Sequence, residues 1–253
     1  MSGGTLRGKT ALVTGAAKRI GRAVALALAE EGVNVVVHYR SAGEEAEALC
    51  RELSERGVQA WAVQADFEKP EECQTLIEQA QKAAGAIEML VNNASVFPLT
   101  RLEEMTFDDL TSNLRVNAWA PFVLSRAFAR QVGRGKIVNL LDSRITGYDW
   151  SHAAYILSKH MLAALTRMTA LAFAPEITVN AVAPGLILPP RGKGEEYLER
   201  LKDTVPLKRH GSPEDVAQVQ LLAAQLPHRL LQRRPRLHPV QPRQQPQKHR
   251  PAV

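Results

Sequence analysis

The 253-residue chain reads as a single doubly wound α/β domain built on a mostly parallel sheet. Two observations predict this. Short β-rich runs alternate with helical stretches through the first 224 residues, the order of repeated βαβ units. A glycine-spaced turn, 14-TGAAKRIG-21, also follows the first run and opens a helix, where a parallel sheet presents backbone N–H groups to an anion.

The first strand is expected over 10-TALVTG-15 and its helix over 20–31, closed by Gly32. A strand at 33-VNVVVHY-39 leads to a helix at 43–56 that stops at Gly57, and the next strand is 58-VQAWAVQAD-66. The helix at 70–84 precedes the strand 87-IEMLVNNA-94, and one long helical stretch covers 103–132. The strand 135-GKIVNLLD-142, a helix at 153–173 and the strand 177-ITVNAVAPG-185 complete six strands. Residues 186–211, with Pro189-Pro190 and several glycines, read as a mobile connection. The last helix, 212–225, opens with a serine N-cap, proline at its first position and two acids in its first turn. Right-handed crossovers between parallel strands place ligands beyond the carboxyl ends of the strands.

Composition narrows the class. No apolar run approaches the ~18 residues of a membrane span, and MSGGTLRGKT lacks a signal-peptide core. Cys50 and Cys73 have no metal-ligand spacing and read as reduced thiols of a cytoplasmic protein, with no metal site expected. The net charge of +6 is carried by the end of the chain, because residues 225–253 hold seven Lys/Arg and no acid, leaving −1 for residues 1–224. That segment has six prolines and no sustained periodicity, so it is expected to be an irregular or disordered basic tail beside the domain of residues 1–224. It lacks the aromatics that stack bases, and nucleic acid is not an expected partner.

Tyr155 and Lys159 stand one helical turn apart on one face. An ammonium beside a phenol, together with an oxidised nicotinamide, lowers the tyrosine pKa and makes it a general acid or base near neutral pH. At the second strand's end, 37-VHYRSAG-43, there is no acid to accept ribose hydroxyls. His38, Arg40 and Ser41 stand there, and Arg19 lies in the phosphate turn. Guanidinium and hydroxyl groups suit a 2′-phosphate, so the cofactor reading is NADP.

TGAAKRIG, NNAS at 92–95, Tyr155-x-x-x-Lys159 and 181-AVAPG-185 together resemble the short-chain dehydrogenase/reductase family over residues ~8–224, and so a Rossmann-type domain. The resemblance implies cofactor contacts at Gly15, Lys18, Arg19, Ile20, Tyr39, Asp66, Asn93, Ala94, Ser95, Lys159, Pro184, Gly185 and Leu186. It also implies Asn117 as the support of a water chain to the lysine, 186–211 as a cover over the substrate, and a homo-oligomer, since relatives are tetramers. Relatives end in a further strand, which the basic tail replaces. The change of composition reads as a shifted reading frame or a terminus particular to this chain, with an unpaired sheet edge as its consequence.

Thirteen residues before Tyr155, where most of the family carries a serine, stands Asp142. A carboxylate cannot donate to a substrate carbonyl and repels charge developing on oxygen. It suits a substrate with N–H donors or a C=N bond, and beside Tyr155 it is placed to share its protons. The alternative is a strand-end cap with Ser143 shifted into the serine's role, although adjacent strand residues face opposite ways unless the strand bulges. Arg19, 38-HYRS-41, Ser95, Phe97 and Asp142 resemble the pteridine reductase subgroup. That resemblance implies a pterin-like substrate stacked on Phe97 and contacted by Ser95, Asp142 and Tyr155, with ketone or 3-oxoacyl reduction as the competing activity.

Overall fold

The computed structural model describes residues 6–190 and 192–225; all of the expected tail except Gln225 lies outside them. The strands are β1 (Thr10–Val13), β2 (Asn34–Tyr39), β3 (Ala60–Gln64), β4 (Met89–Asn92), β5 (Gly135–Leu140) and β6 (Ile177–Val182). They form one parallel sheet in the order β3-β2-β1-β4-β5-β6. The order reverses between β1 and β4, so their carboxyl ends open the crevice where such sheets bind ligands.

Alternation along the strands divides the core between the two faces. Ala11, Val13, Val35, Val37 and Val91 pack under α1 (Arg19–Glu30), α2 (Gly43–Glu55) and the later α8 (Pro213–Gln225). Leu12, Val36, Leu90, Ile137 and Val179 pack on the opposite side with α3 (Pro70–Ala84) and α5 (Ala120–Val132).

Every strand except β2, which ends at Tyr39 as expected, is shorter than expected at its carboxyl end, because the residues that leave the ladder there become site loops. The stretch expected as one helix over 103–132 is divided. Thr106 caps α4 (Phe107–Leu114) through a reciprocal capping box with Asp109. A π-helical turn, Arg115–Trp119, then joins α4 to α5. Such turns often mark functional positions, and this one holds Asn117. The helix α6 (Ala153–Ala172) buries the stripe Tyr155, Lys159, Leu162, Thr166 and Thr169. The connection after β6 contains α7 (Glu195–Leu201), which was not expected and whose Leu198 is buried. No helix among the described residues is long and apolar enough to cross a membrane.

Candidate active site

The phosphate turn is built by two glycines and a threonine. Gly15 has φ +64°, and a Cβ there would lie 3.0 Å from Ala94 Cα. A Cβ on Gly21 would lie 2.6 Å from Asn93 Nδ2 and 2.9 Å from Ala16 Cα, so only glycine lets α1 approach the sheet this closely. Thr14 Oγ1 accepts the N–H groups of Asn93 and Ala94 at 2.9 and 3.0 Å, stitching the ends of β1 and β4 together. The Asn93 amide donates to the carbonyls of Thr14 and Gly15 at 2.8 and 3.2 Å, so this residue shapes the turn with its side chain. No side chain caps the N-terminus of α1. Arg19 takes the left-handed conformation, φ +57°, at about 1 kcal/mol for a non-glycine residue, and its Nη2 donates to Pro189 O at 2.7 Å.

His38 requires a correction. Expected at the cofactor, it is buried beneath the turn, stacked on Phe67 with ring centroids 4.6 Å apart. Burial lowers its pKa to about 4, and the neutral ring accepts the Gly15 N–H on Nδ1 at 3.0 Å and donates from Nε2 to Ala65 O at 3.0 Å. With both nitrogens engaged by backbone, it holds the turn in shape. Lys18 likewise pairs with Glu45 of α2, and Ile20 and Tyr39 pack against the core. Arg40 and Ser41 are exposed at the end of β2, where no acid stands. Asp66 is half-buried and its carboxylate accepts the Glu68 N–H at 3.0 Å. Pro184 and Leu186 bind the backbone N–H groups of Ser143 and Gly211, and Gly185, between them, is exposed with a Cβ position 3.8 Å from Ser143 Oγ.

Tyr155 donates its phenolic proton to Asp142 Oδ2 at 2.9 Å. The strand ends at Leu140, and Asp142 caps a 3-10 turn over Ser143–Thr146 by accepting the Arg144 N–H at 2.8 Å. Asp142 is therefore both the strand-end cap and the partner of Tyr155. Burial first, and then the Asp142 charge, push the Tyr155 pKa well above that of an ordinary phenol. Lys159 Nζ donates to Leu140 O at 2.7 Å and sits 5.6 Å from the centroid of the tyrosine ring. Burial brings the Lys159 pKa down to about 8, against the opposing pull of Asp142. A phenol so placed keeps its proton.

Asn117 is fully buried, and its amide is spent on protein contacts. Oδ1 accepts from Ser95 Oγ at 3.0 Å and Val96 N at 2.8 Å, while Nδ2 donates to Val96 O and to Ser158 Oγ, both at 3.0 Å. Its side chain fixes the loop that carries Ser95 and Phe97 to α6. Phe97, expected to face a substrate ring, stacks on His152 at 4.1 Å and meets Tyr155 edge-on at 4.6 Å.

Three residues of the site escaped the sequence reading. Arg144 binds Asp142 through Nε at 3.1 Å and Nη2 at 3.0 Å, and Asp149 through Nη1 at 2.6 Å. Asp149 in turn accepts from the backbone N–H groups of Ser151 and His152 at 2.9 and 3.1 Å, with His152 Nδ1 at 3.1 Å. The one available signal was the density of charge in 142-DSRITGYDWSH-152 just before the Tyr-Lys pair. Among the described residues no cluster of His, Cys, Asp and Glu has the geometry of a metal site.

A family model described as short chain dehydrogenase matches residues 9–196. The chain is 35% identical over 218 residues to the 3-oxoacyl-acyl-carrier-protein reductase FabG of Staphylococcus epidermidis, covering 83% of this chain and 88% of that one. It is 33% identical over 234 residues to versicolorin reductase stcU of Emericella nidulans, covering 85% and 88%. Among solved structures it is similar to FolM alternative dihydrofolate reductase 1 from Brucella canis complexed with NADP, with a TM-score of 0.81 and 31% identity over 88% of this chain and 89% of that one.

Proposed function

The chain belongs to the short-chain dehydrogenase family, and from that premise we propose that it is an NADPH-dependent reductase acting on a C=N bond of a pterin or dihydropterin. The observation that carries the reading is the Asp142 carboxylate at 2.9 Å from the Tyr155 hydroxyl, in the place of a neutral donor. An acidic acceptor there disfavours a substrate that builds negative charge on oxygen and favours one that presents N–H groups.

The cofactor fits the residues present. The Gly15–Gly21 turn and the uncapped N-terminus of α1 offer backbone N–H groups to its diphosphate. Exposed Arg40 and Ser41, with no acid at the end of β2, suit a 2′-phosphate. NADPH, when bound, supplies the hydride. Tyr155 and Asp142 form the proton-delivering pair, Lys159 orients the nicotinamide ribose, and Phe97 with Ser95 lines the place of the pterin ring. The NADP-bound dihydrofolate reductase among the similar structures supports both substrate class and cofactor.

The competing reading, ketone or 3-oxoacyl reduction by Tyr155 with Ser143 as the hydrogen-bond donor to the carbonyl, is favoured by the 3-oxoacyl reductase relatives. Against it, Ser143 is exposed and its backbone N–H is tied to Pro184 O at 2.9 Å, while its neighbour meets Tyr155. Asp142→Ser and Ser143→Ala separate the two. On the pterin reading, Asp142→Ser loses at least about tenfold in dihydropterin turnover and Ser143→Ala little. Undiminished pterin reduction by Asp142→Ser, with an inactive Ser143→Ala, overturns it.

A further inference from the structure

The reading above leaves open which member of the Tyr155–Asp142 pair carries the proton. We propose that Arg144 is the positioning residue of this pair: it occupies Asp142 so that the carboxylate serves only as an acceptor, and Tyr155 alone protonates the substrate.

The argument is one of satisfied lone pairs. Four donors converge on the two oxygens of Asp142. Oδ1 accepts from the Arg144 backbone N–H at 2.8 Å and from Arg144 Nε at 3.1 Å. Oδ2 accepts from Arg144 Nη2 at 3.0 Å and from the Tyr155 hydroxyl at 2.9 Å. A carboxylate offers about four acceptor positions, so a proton on Asp142 would have to displace one of these bonds. Three of the four come from Arg144. Only the fourth, from Tyr155, is released by turning a hydroxyl, and it is the one a substrate N–H can replace.

The guanidinium is itself held. Asp149 grips Nη1 at 2.6 Å, and the planar group lies over the rings of Phe97 and Tyr155, 4.9 and 5.6 Å from their centroids. The charged and titratable groups facing the pair are thus Arg144 and Asp149 from the turn, His152 ahead of α6, and Lys159 within α6. Reduction balances as follows: hydride from NADPH reaches the carbon of C=N, the Tyr155 O–H bond breaks as the new N–H bond forms, and water returns the proton to the phenolate. A phenolate beside an uncompensated carboxylate would be costly, and Arg144 offsets that repulsion.

The test compares wild type, Arg144→Gln and Arg144→Lys in the pH dependence of kcat/KM, with whichever substrate the enzyme turns over. A protein that reduces only a β-ketoester sinks the pterin reading and leaves this comparison intact, since Tyr155 is the proton donor in both. Arg144→Gln is expected to lose about 10- to 100-fold in kcat with KM changed less than about threefold, the size of a lost charge-assisted bond. The acid limb of its profile is expected to move up by about one pH unit, and Arg144→Lys to recover part of the loss. An unmoved acid limb in Arg144→Gln overturns the proposal, and activity that rises on its acidification overturns it by making Asp142 the acid. A substrate-free measurement accompanies it: NMR of arginine guanidinium groups. One guanidinium with slowed rotation, missing in Arg144→Lys and released in Asp142→Asn, is expected. A freely rotating Arg144 in wild type refutes the clamp whatever the substrate.

Discussion

Acidification acts on this protein beneath the phosphate turn. Burial holds the His38 pKa at about 4 against an ordinary 6.5. As pH falls below 6.5, the unfolded chain takes up a proton that the folded one refuses. The stability owed to neutral His38 is therefore whole above pH 6.5 and drains away as pH falls through 4. Each unit of difference corresponds to about 1.4 kcal/mol, so the full swing is about 3 kcal/mol. His38→Leu removes the titration, although it orphans the Gly15 N–H and Ala65 carbonyl and so lowers stability at every pH. Urea unfolding of both proteins between pH 7 and pH 4 isolates the effect. The stability advantage of wild type should shrink by about 3 kcal/mol over that range. Parallel curves would refute the buried, neutral histidine. A proton on Nδ1 also removes the acceptor of the Gly15 N–H, so NADPH affinity should hold down to about pH 5 and fall only as pH approaches the folded pKa of about 4.

Three further outcomes follow from the geometry. Gly21→Ala forces a methyl group into the turn and should cost about 3 kcal/mol or abolish folding, read by thermal unfolding; a tolerated alanine would contradict the close approach of α1. Arg40→Asp should weaken NADPH by about 10- to 100-fold in fluorescence titration while sparing NADH, since it replaces the proposed 2′-phosphate partner with a repelling charge. Phe97→Leu should raise the KM for a dihydropterin by about three- to tenfold, the size of one aromatic stacking contact, and leave a β-ketoester unaffected.

The sheet and the glycine turn were legible because they obey local rules. The short β-rich apolar runs of β1 and β2, the glycines at 15, 32 and 57, and the Ser212-Pro213 start of α8 each act within a few residues. Tyr155 and Lys159 were legible from their spacing along one helix, and Asp142 from the resemblance, because it stands where most of the family carries a serine. What spacing could not show was which way the neighbours turn. His38 follows strand alternation inward, so a residue that looked like a cofactor contact became a prop for Gly15. Arg144 becomes a partner of Asp142 only because the strand stops at Leu140 and a 3-10 turn folds the next residues back. Burial and the Asp142 carboxylate, which raise the Tyr155 pKa, are tertiary properties that the Tyr-Lys spacing could not show. The π-turn that seats Asn117 was hidden inside one long helical pattern.

The measurement that bears most directly on the function is NADPH oxidation by the purified protein with dihydrobiopterin, dihydromonapterin, dihydrofolate and a simple β-ketoester compared side by side. An Asp142 carboxylate bonded to Tyr155 calls for a kcat/KM on at least one dihydropterin or dihydrofolate about a hundredfold above that on the ketoester, the discrimination expected when paired N–H donors are recognised. A preference for the β-ketoester would contradict it.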